Sequence, residues 1–314
     1  MNLPALYIMR VSTTRSELLK KRVDPFTRVL AAVEQGDVRA LHRARVASRR
    51  LRELLPMLQL ESSVAHKLNR RLRKITSRLG TVRELDVLLI LIDELHVSRR
   101  ARSAALSRVG IAVAKGRDEA RKRLASKLPI AEMSRLGRKL DRLVEGMRAM
   151  EASSSKTAAR SWRWAIDARV ALRASRLTEA MQEAGAVYLP ERLHAVRIAL
   201  KKLRYAVELL AEIGAGVAVA DLRALKRGQD LLGHMHDLQV LMDSVRKVQA
   251  SLMPPNLTVW RDLDALVVSI EDDCRHLHAQ YMRSRDVLTA VADRSSARPQ
   301  QTAPVRTQAT RRAG

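Results

Sequence analysis

The chain has 314 residues, 46% hydrophobic but only 3% aromatic, and its 59 Lys plus Arg outnumber 33 Asp plus Glu for a net charge of +26. Leu, Val, Ala, Ile and Met carry the apolar content, which favours helices over sheets, while the charge attracts polyanions without choosing among nucleic acid, an anionic membrane surface and a phosphate polymer. The single cysteine, Cys274, excludes an internal disulfide framework and cysteine-rich zinc sites, and with no apolar run of transmembrane length the expectation is a cytoplasmic protein without a transmembrane segment.

The 3.6-residue period predicts helix nearly everywhere. Pro25 interrupts a first helical stretch, and Gln35-Gly36-Asp37 supplies a turn and an N-cap before a run starting at Val38. Helices are expected over roughly 38–60, 63–80 and 82–97; a strongly basic stretch, about 98–128, ends at Pro129, and a further helix reaches Met150. Residues 151–160 are small and polar and read as a linker. Helix resumes near Trp162 and stops near Gly185, then returns over about 190–212, 218–232, 235–252 and 257–292, with Gly214, Gly216 and Pro254-Pro255 as punctuation. Residues 293–314 read as a disordered basic tail.

Two blocks recur. Leu41-His42-Arg43-Ala44-Arg45-Val46-Ala47-Ser48-Arg49-Arg50-Leu51-Arg52 aligns without a gap with Leu193-His194-Ala195-Val196-Arg197-Ile198-Ala199-Leu200-Lys201-Lys202-Leu203-Arg204. Leu79-Gly80-Thr81-Val82-Arg83-Glu84-Leu85-Asp86-Val87-Leu88 aligns with Leu232-Gly233-His234-Met235-His236-Asp237-Leu238-Gln239-Val240-Leu241, and the register changes by one residue between the blocks. The order of elements therefore reads as a tandem duplication, with a first half of about 13–150 and a second of about 161–292.

On a helix, His42, Arg45, Arg49 and Arg52 fall at about 0°, 300°, 340° and 280°, a single stripe. His194, Arg197, Lys201 and Arg204 repeat it, while Ala44, Ala47, Leu51 and Leu54 cover another face. Such a stripe repels itself, and a ligand with repeated negative charge relieves the repulsion. Arginine offers bidentate donors to phosphate oxygens, lysine a point charge, and histidine a donor whose charge rises beside an anion. A single basic run reads first as a solvated face; its recurrence with the histidine favours a binding site.

These paired blocks resemble the CHAD family, the histidine-bearing α-helical domains, over residues 13–292. The resemblance implies an all-α fold of two four-helix units related by a pseudo-twofold axis, a basic groove or cavity between them, and non-catalytic binding of inorganic polyphosphate, with attachment to polyphosphate granules as a possible role. It assigns the ligand contacts to His42, Arg45, Arg49, Arg50 and Arg52 and to His194, Arg197, Lys201, Lys202 and Arg204. Arg83, His234 and His236 are candidate additional contacts, the histidines through a helix start. The blocks differ in their acidic pattern, Glu84-Leu85-Asp86 against Asp237-Leu238-Gln239, so the halves are not fully equivalent. Glu84 and Asp237 are read as anchors that orient basic side chains.

Cys274 and His278 lie one helical turn apart but are too few for a metal site, and a packed or solvated helix is the preferred reading. Trp162, Trp164 and Trp260 are assigned to helix packing rather than base stacking. The sequence has no P-loop, dinucleotide turn, zinc-hydrolase helix, nucleophile elbow or Glu-x-Glu-x-Lys pattern, so neither a catalytic residue nor a cofactor is expected. The competing readings are a nucleic-acid or generic polyanion binder, disfavoured by few aromatics and no groove-reading motif, and a divergent polyphosphatase.

Overall fold

The computed structural model describes residues 13–97, 103–127, 130–153, 156–252 and 256–297. Among them are ten α-helices and no strand. They are α1 (Arg15–Arg28), α2 (Leu30–Glu34), α3 (Val38–Leu54), α4 (Ser62–Val97), α5 (Ser103–Lys127), α6 (Ile130–Ala152), α7 (Lys156–Ala184), α8 (Pro190–Glu212), α9 (Val219–Ala250) and α10 (Leu257–Ser296), with a 3-10 turn at Leu55–Met57. The all-α expectation is met, and no described helix is long and apolar enough to cross a membrane.

Local chemistry sets several boundaries. Thr14 closes a capping box with Glu17 at the start of α1. Asp37 caps α3 by accepting from the Ala40 N–H, after Gly36 has turned the chain at φ +77°. Gly185, at φ +63°, ends α7 as expected.

Other expectations are corrected. Pro25 lies inside α1, and the helix is interrupted only at Val29. Proline removes one backbone donor, and nearby Thr27 donates its hydroxyl to the Val23 and Asp24 carbonyls. The breaks expected near Gly80 and Gly233 do not exist, since α4 and α9 run through both. Both glycines instead lie beneath arginine side chains. His234 and His236 are consequently mid-helix, where no helix start supplies free backbone donors. The stretch 151–160 is a linker only in part, because α6 reaches Ala152 and α7 begins at Lys156. Likewise α10 extends to Ser296, into the stretch read as tail. Pro129, Pro254-Pro255, residues 98–102 and residues 298–314 lie outside the described residues.

The helices pack in sequence. In the second half α7 packs on α8, α8 on α9, α9 on α10, and α10 returns to α7, a closed four-helix arrangement. In the first half α1 packs on α3, α3 on α4 and α4 on α5, while α6 covers α1 as an additional layer. The halves meet where α3 touches α8, α4 touches α9, and α5 reaches α9 and α10. The buried face of α8 is Leu193, Val196, Leu200, Leu203, Val207 and Leu210, the i, i+3, i+4, i+7 stripe of a core-facing helix. On α3 the same face is built from smaller groups, with Ala44, Ala47 and Ser48 beside Leu41, Leu51 and Leu54. Buried Ser48 is satisfied by Thr76 of α4, the hydroxyls lying 2.9 Å apart, and donates to the Arg45 carbonyl.

Candidate anion-binding site

Burying one face of α3 and one of α8 fixes where the remaining faces point, and the contact between these helices brings their basic stripes together. Arg45, Arg49, Arg197 and Lys201 lie within one another's electrostatic field. These are the four positions that the repeat places at the middle of each stripe.

The two α3 arginines are held by hydrogen bonds. The Arg45 guanidinium lies across α4, donating from Nη1 to the Thr76 carbonyl at 3.2 Å, with Glu84 at 3.9 Å. It passes so close to the backbone that a Cβ on Gly80 would come within 2.5 Å of Nη1. Arg197 runs over Gly233 in the equivalent place, less tightly, with 4.0 Å between such a Cβ and its Nε. Asp237 faces Arg197 as Glu84 faces Arg45. Burial and then the neighbouring charge of Arg49 help keep the Arg45 and Arg197 pKa values below the ordinary arginine value, against the opposing pull of Glu84 and Asp237.

Arg49 crosses to the other half. Its Nη2 donates to the Tyr205 hydroxyl, and its guanidinium lies 5.3 Å from the Tyr205 ring centroid. Arg204 lies 4.9 Å from the same ring and is tethered to Gln229 at 2.9 Å and to Glu208. Arg52, at the margin, donates to Asn69 at 3.4 Å. The buried Arg49 Nε has no hydrogen-bond partner.

The histidines extend the site along α8 and α9. The His194 and His236 rings lie tilted against each other with centroids 4.6 Å apart, and the buried His194 Nδ1 has no hydrogen-bond partner among the described residues. Burial first, then Arg197, His194 and Lys201, pushes the His236 pKa down to about 4. Burial, then Arg49, Arg197 and Arg45, pushes Lys201 down to about 8. His42 is also lowered, by burial and then by Arg83, Arg45 and Arg49. With Arg83 it lines a cavity of about 530 Å³ among α3, α4 and α5, where Arg39, Arg117 and Arg121 add charge and Asp86 holds Arg121 at 3.4 Å.

Three expected contacts point elsewhere. Arg50 follows Arg49 by one residue and is rotated by about 100°, which places it in a cavity between α1 and α3. Lys202 faces Arg173, Arg176 and Glu53 between α7 and α8 for the same reason. His234 diverges from His236, as i, i+2 residues do, and lines a cavity with Glu94, Asp272, Asp273 and His276.

Tyr205 was absent from the sequence-derived set; the available signal was an aromatic directly after a stripe arginine in a chain poor in aromatics. Cys274 is buried with its thiol 3.9 Å from the Met235 carbonyl, and His278 packs against the Tyr188 and Tyr281 rings, so both serve packing. Trp162 is a core residue, but Trp164 and Trp260 are exposed, which corrects their assignment to packing.

Relatives share this architecture. The crystal structure of the CHAD domain from the plant Ricinus communis superposes with a TM-score of 0.55 at 21% identity, covering 90% of each chain. PptA from Streptomyces chartreusis gives 0.54 at 16% identity over 90% of this chain and 97% of that one. No curated protein matches the sequence. The CHAD domain family model matches residues 17–246, and the chain belongs to the CHAD domain family.

Proposed function

We propose that this protein binds inorganic polyphosphate without turning it over, laying the polymer along the facing stripes of α3 and α8, and that this serves attachment to polyphosphate granules. The observation that carries the reading is the meeting of Arg45 and Arg49 with Arg197 and Lys201. Held by Thr76, Gly80 and Tyr205, the two α3 arginines are already positioned, so little ordering cost remains for a linear polyanion. Carboxylates beside the cluster oppose its arginines, Glu84 facing Arg45 and Asp237 facing Arg197. Phosphate oxygens at regular spacing suit several guanidinium groups at once.

A salt titration tests this. Replacing Arg45, Arg49 and Arg52, or Arg197, Lys201 and Arg204, should weaken long-chain polyphosphate binding and flatten the plot of log affinity against log salt, because fewer condensed counterions are released. Replacing both sets should do far more than either. Unchanged affinity and slope in a folded sextuple variant would rule the stripes out. Duplex DNA at equal phosphate concentration should compete poorly; parity would favour a generic polyanion binder.

A further inference from the structure

The cavity between α1 and α3 lies beside the stripes but is not part of the central cluster. It measures about 610 Å³, and its charged lining is Lys21, Arg22, Arg28, Arg43 and Arg50, with His42 at one edge. Among the described residues its lining includes no carboxylate. Glu212 reaches from α8 to pair with Arg22 and, at 3.6 Å, with Lys21. Arg28, Arg43 and Arg50 are exposed. Val29, Val46 and Ala47 supply an apolar floor, which strengthens electrostatic attraction at the rim.

The second half has a cavity at the matching place. Ala195, Ile198, Ala199 and Lys202 line it where Arg43, Val46, Ala47 and Arg50 line the first. That cavity, about 370 Å³, is built in the opposite sense: Glu179 and Glu183 stand in its wall, and its buried Arg173 is bound to Glu53 at 3.5 Å. The α1–α3 cavity has Lys21 and Arg22 paired with Glu212 but leaves Arg28, Arg43 and Arg50 without an ion pair among the described residues. Cations left unpaired beside an apolar floor are stabilised by an external anion, and a cluster this compact suits a short ligand rather than a long chain.

We infer that the α1–α3 cavity is a second, separate anion site, for a compact molecule carrying adjacent phosphoryl groups. Arg28 and Arg43 grip it from opposite helices, with Lys21 and Arg50 completing the rim. Inorganic triphosphate and a nucleoside triphosphate share this chemistry.

The full chain with Arg45, Arg49, Arg197 and Lys201 replaced by alanine should still bind one triphosphate by calorimetry. Adding Arg28→Gln and Arg43→Gln should weaken that binding at least tenfold. In the otherwise unaltered protein these two substitutions should leave long-chain polyphosphate affinity within about threefold. Parallel titrations with inorganic triphosphate and adenosine triphosphate identify the source: tighter binding of the nucleotide points to the apolar floor as a base or sugar contact, tighter binding of the inorganic ion to charge alone. Hydrogen exchange on the unaltered protein covers the case in which the quadruple variant does not fold. Triphosphate should protect α1, α2 and the start of α3, and should cease to do so in Arg28→Gln/Arg43→Gln. Triphosphate binding indifferent to those two substitutions would overturn the inference while leaving the groove reading untouched. A groove variant that loses long-chain binding but keeps the triphosphate site would support both.

Discussion

Arg49 of α3 donates to the hydroxyl of Tyr205 of α8, so the central cation of one half is positioned by an aromatic of the other. Arg204 lies over the same ring and has its own partners in Gln229 and Glu208. The residue that positions Arg49 is thus also one that joins α8 to α3.

Tyr205→Phe keeps the ring and removes the acceptor. A hydrogen bond to a charged group is worth about 1.5–3 kcal/mol, and because Arg49 can turn partly toward solvent, a stability loss of about 1 kcal/mol is expected. Polyphosphate affinity should fall several-fold through loss of positioning. Tyr205→Ala also removes a buried ring and should cost about 3–5 kcal/mol. Thermal unfolding and a binding titration check both; a Tyr205→Phe protein with full affinity would show that Arg49 needs no positioning.

Gly80 and Gly233 should respond differently to alanine. At Gly80 the added methyl displaces the Arg45 guanidinium from the Thr76 carbonyl, whereas at Gly233 it meets Arg197 only at van der Waals distance. Alanine favours helix over glycine by about 1 kcal/mol, so both variants should remain helical. Gly80→Ala should weaken polyphosphate binding and Gly233→Ala should not. Equal effects on binding would place the function of Gly80 elsewhere.

Lys201, with its pKa pushed down to about 8, and His236, pushed down to about 4, link the site to pH. A bound polyanion raises both values, so binding takes up protons, and affinity should fall as pH rises through about 8. Calorimetry in buffers of different ionisation enthalpy measures the uptake. Without ligand the effect on stability has the opposite sense. Between about 8 and the ordinary lysine value of about 10.5 the unfolded chain holds the proton that folded Lys201 has lost, so stability rises with pH there. His236 likewise makes the free protein lose stability as pH falls from about 6.5 towards 4. Lys201→Met should remove the alkaline contribution, seen as a shallower slope of melting temperature against pH between 8 and 10. Identical slopes would mean that Lys201 is not buried as a neutralisable group.

Glu53, whose charge also acts on Lys201 and Arg52, sets a stability prediction at the margin of the basic cluster. It pairs with the buried Arg173 of α7, and its charge also acts on Lys202. Glu53→Ala leaves Arg173 uncompensated and should cost about 3–5 kcal/mol. Glu53→Ala combined with Arg173→Met should recover most of it, a double-mutant cycle readable from urea denaturation.

The stripes were legible because they depend only on helical periodicity and on the recurrence of His42, Arg45, Arg49 and Arg52 as His194, Arg197, Lys201 and Arg204. Residues that act across helices were not. The Tyr205 hydroxyl finds its partner, Arg49, 156 residues away in sequence, and their meeting is a product of how α3 packs on α8. Gly80 and Gly233 were misread as breaks because a glycine in sequence signals a turn as readily as it signals close approach. Arg50 and Lys202 entered the ligand set through the block as a whole; their direction follows from the 100° step to the next residue.

That angular step has a consequence for α3. Neighbouring residues in its later turns serve different tasks: Leu51 the core, Arg49 the contact with Tyr205 of α8 and Arg50 the cavity against α1. Deleting one residue such as Ala44 would preserve helix, length and net charge almost unchanged, yet it would rotate every later side chain into a neighbour's role. Arg45 would take the buried position of Ala44, and core leucines would turn towards solvent. The segment can therefore accept many substitutions within a lane but no slip in reading frame along the helix, and its information lies in phase as much as in composition.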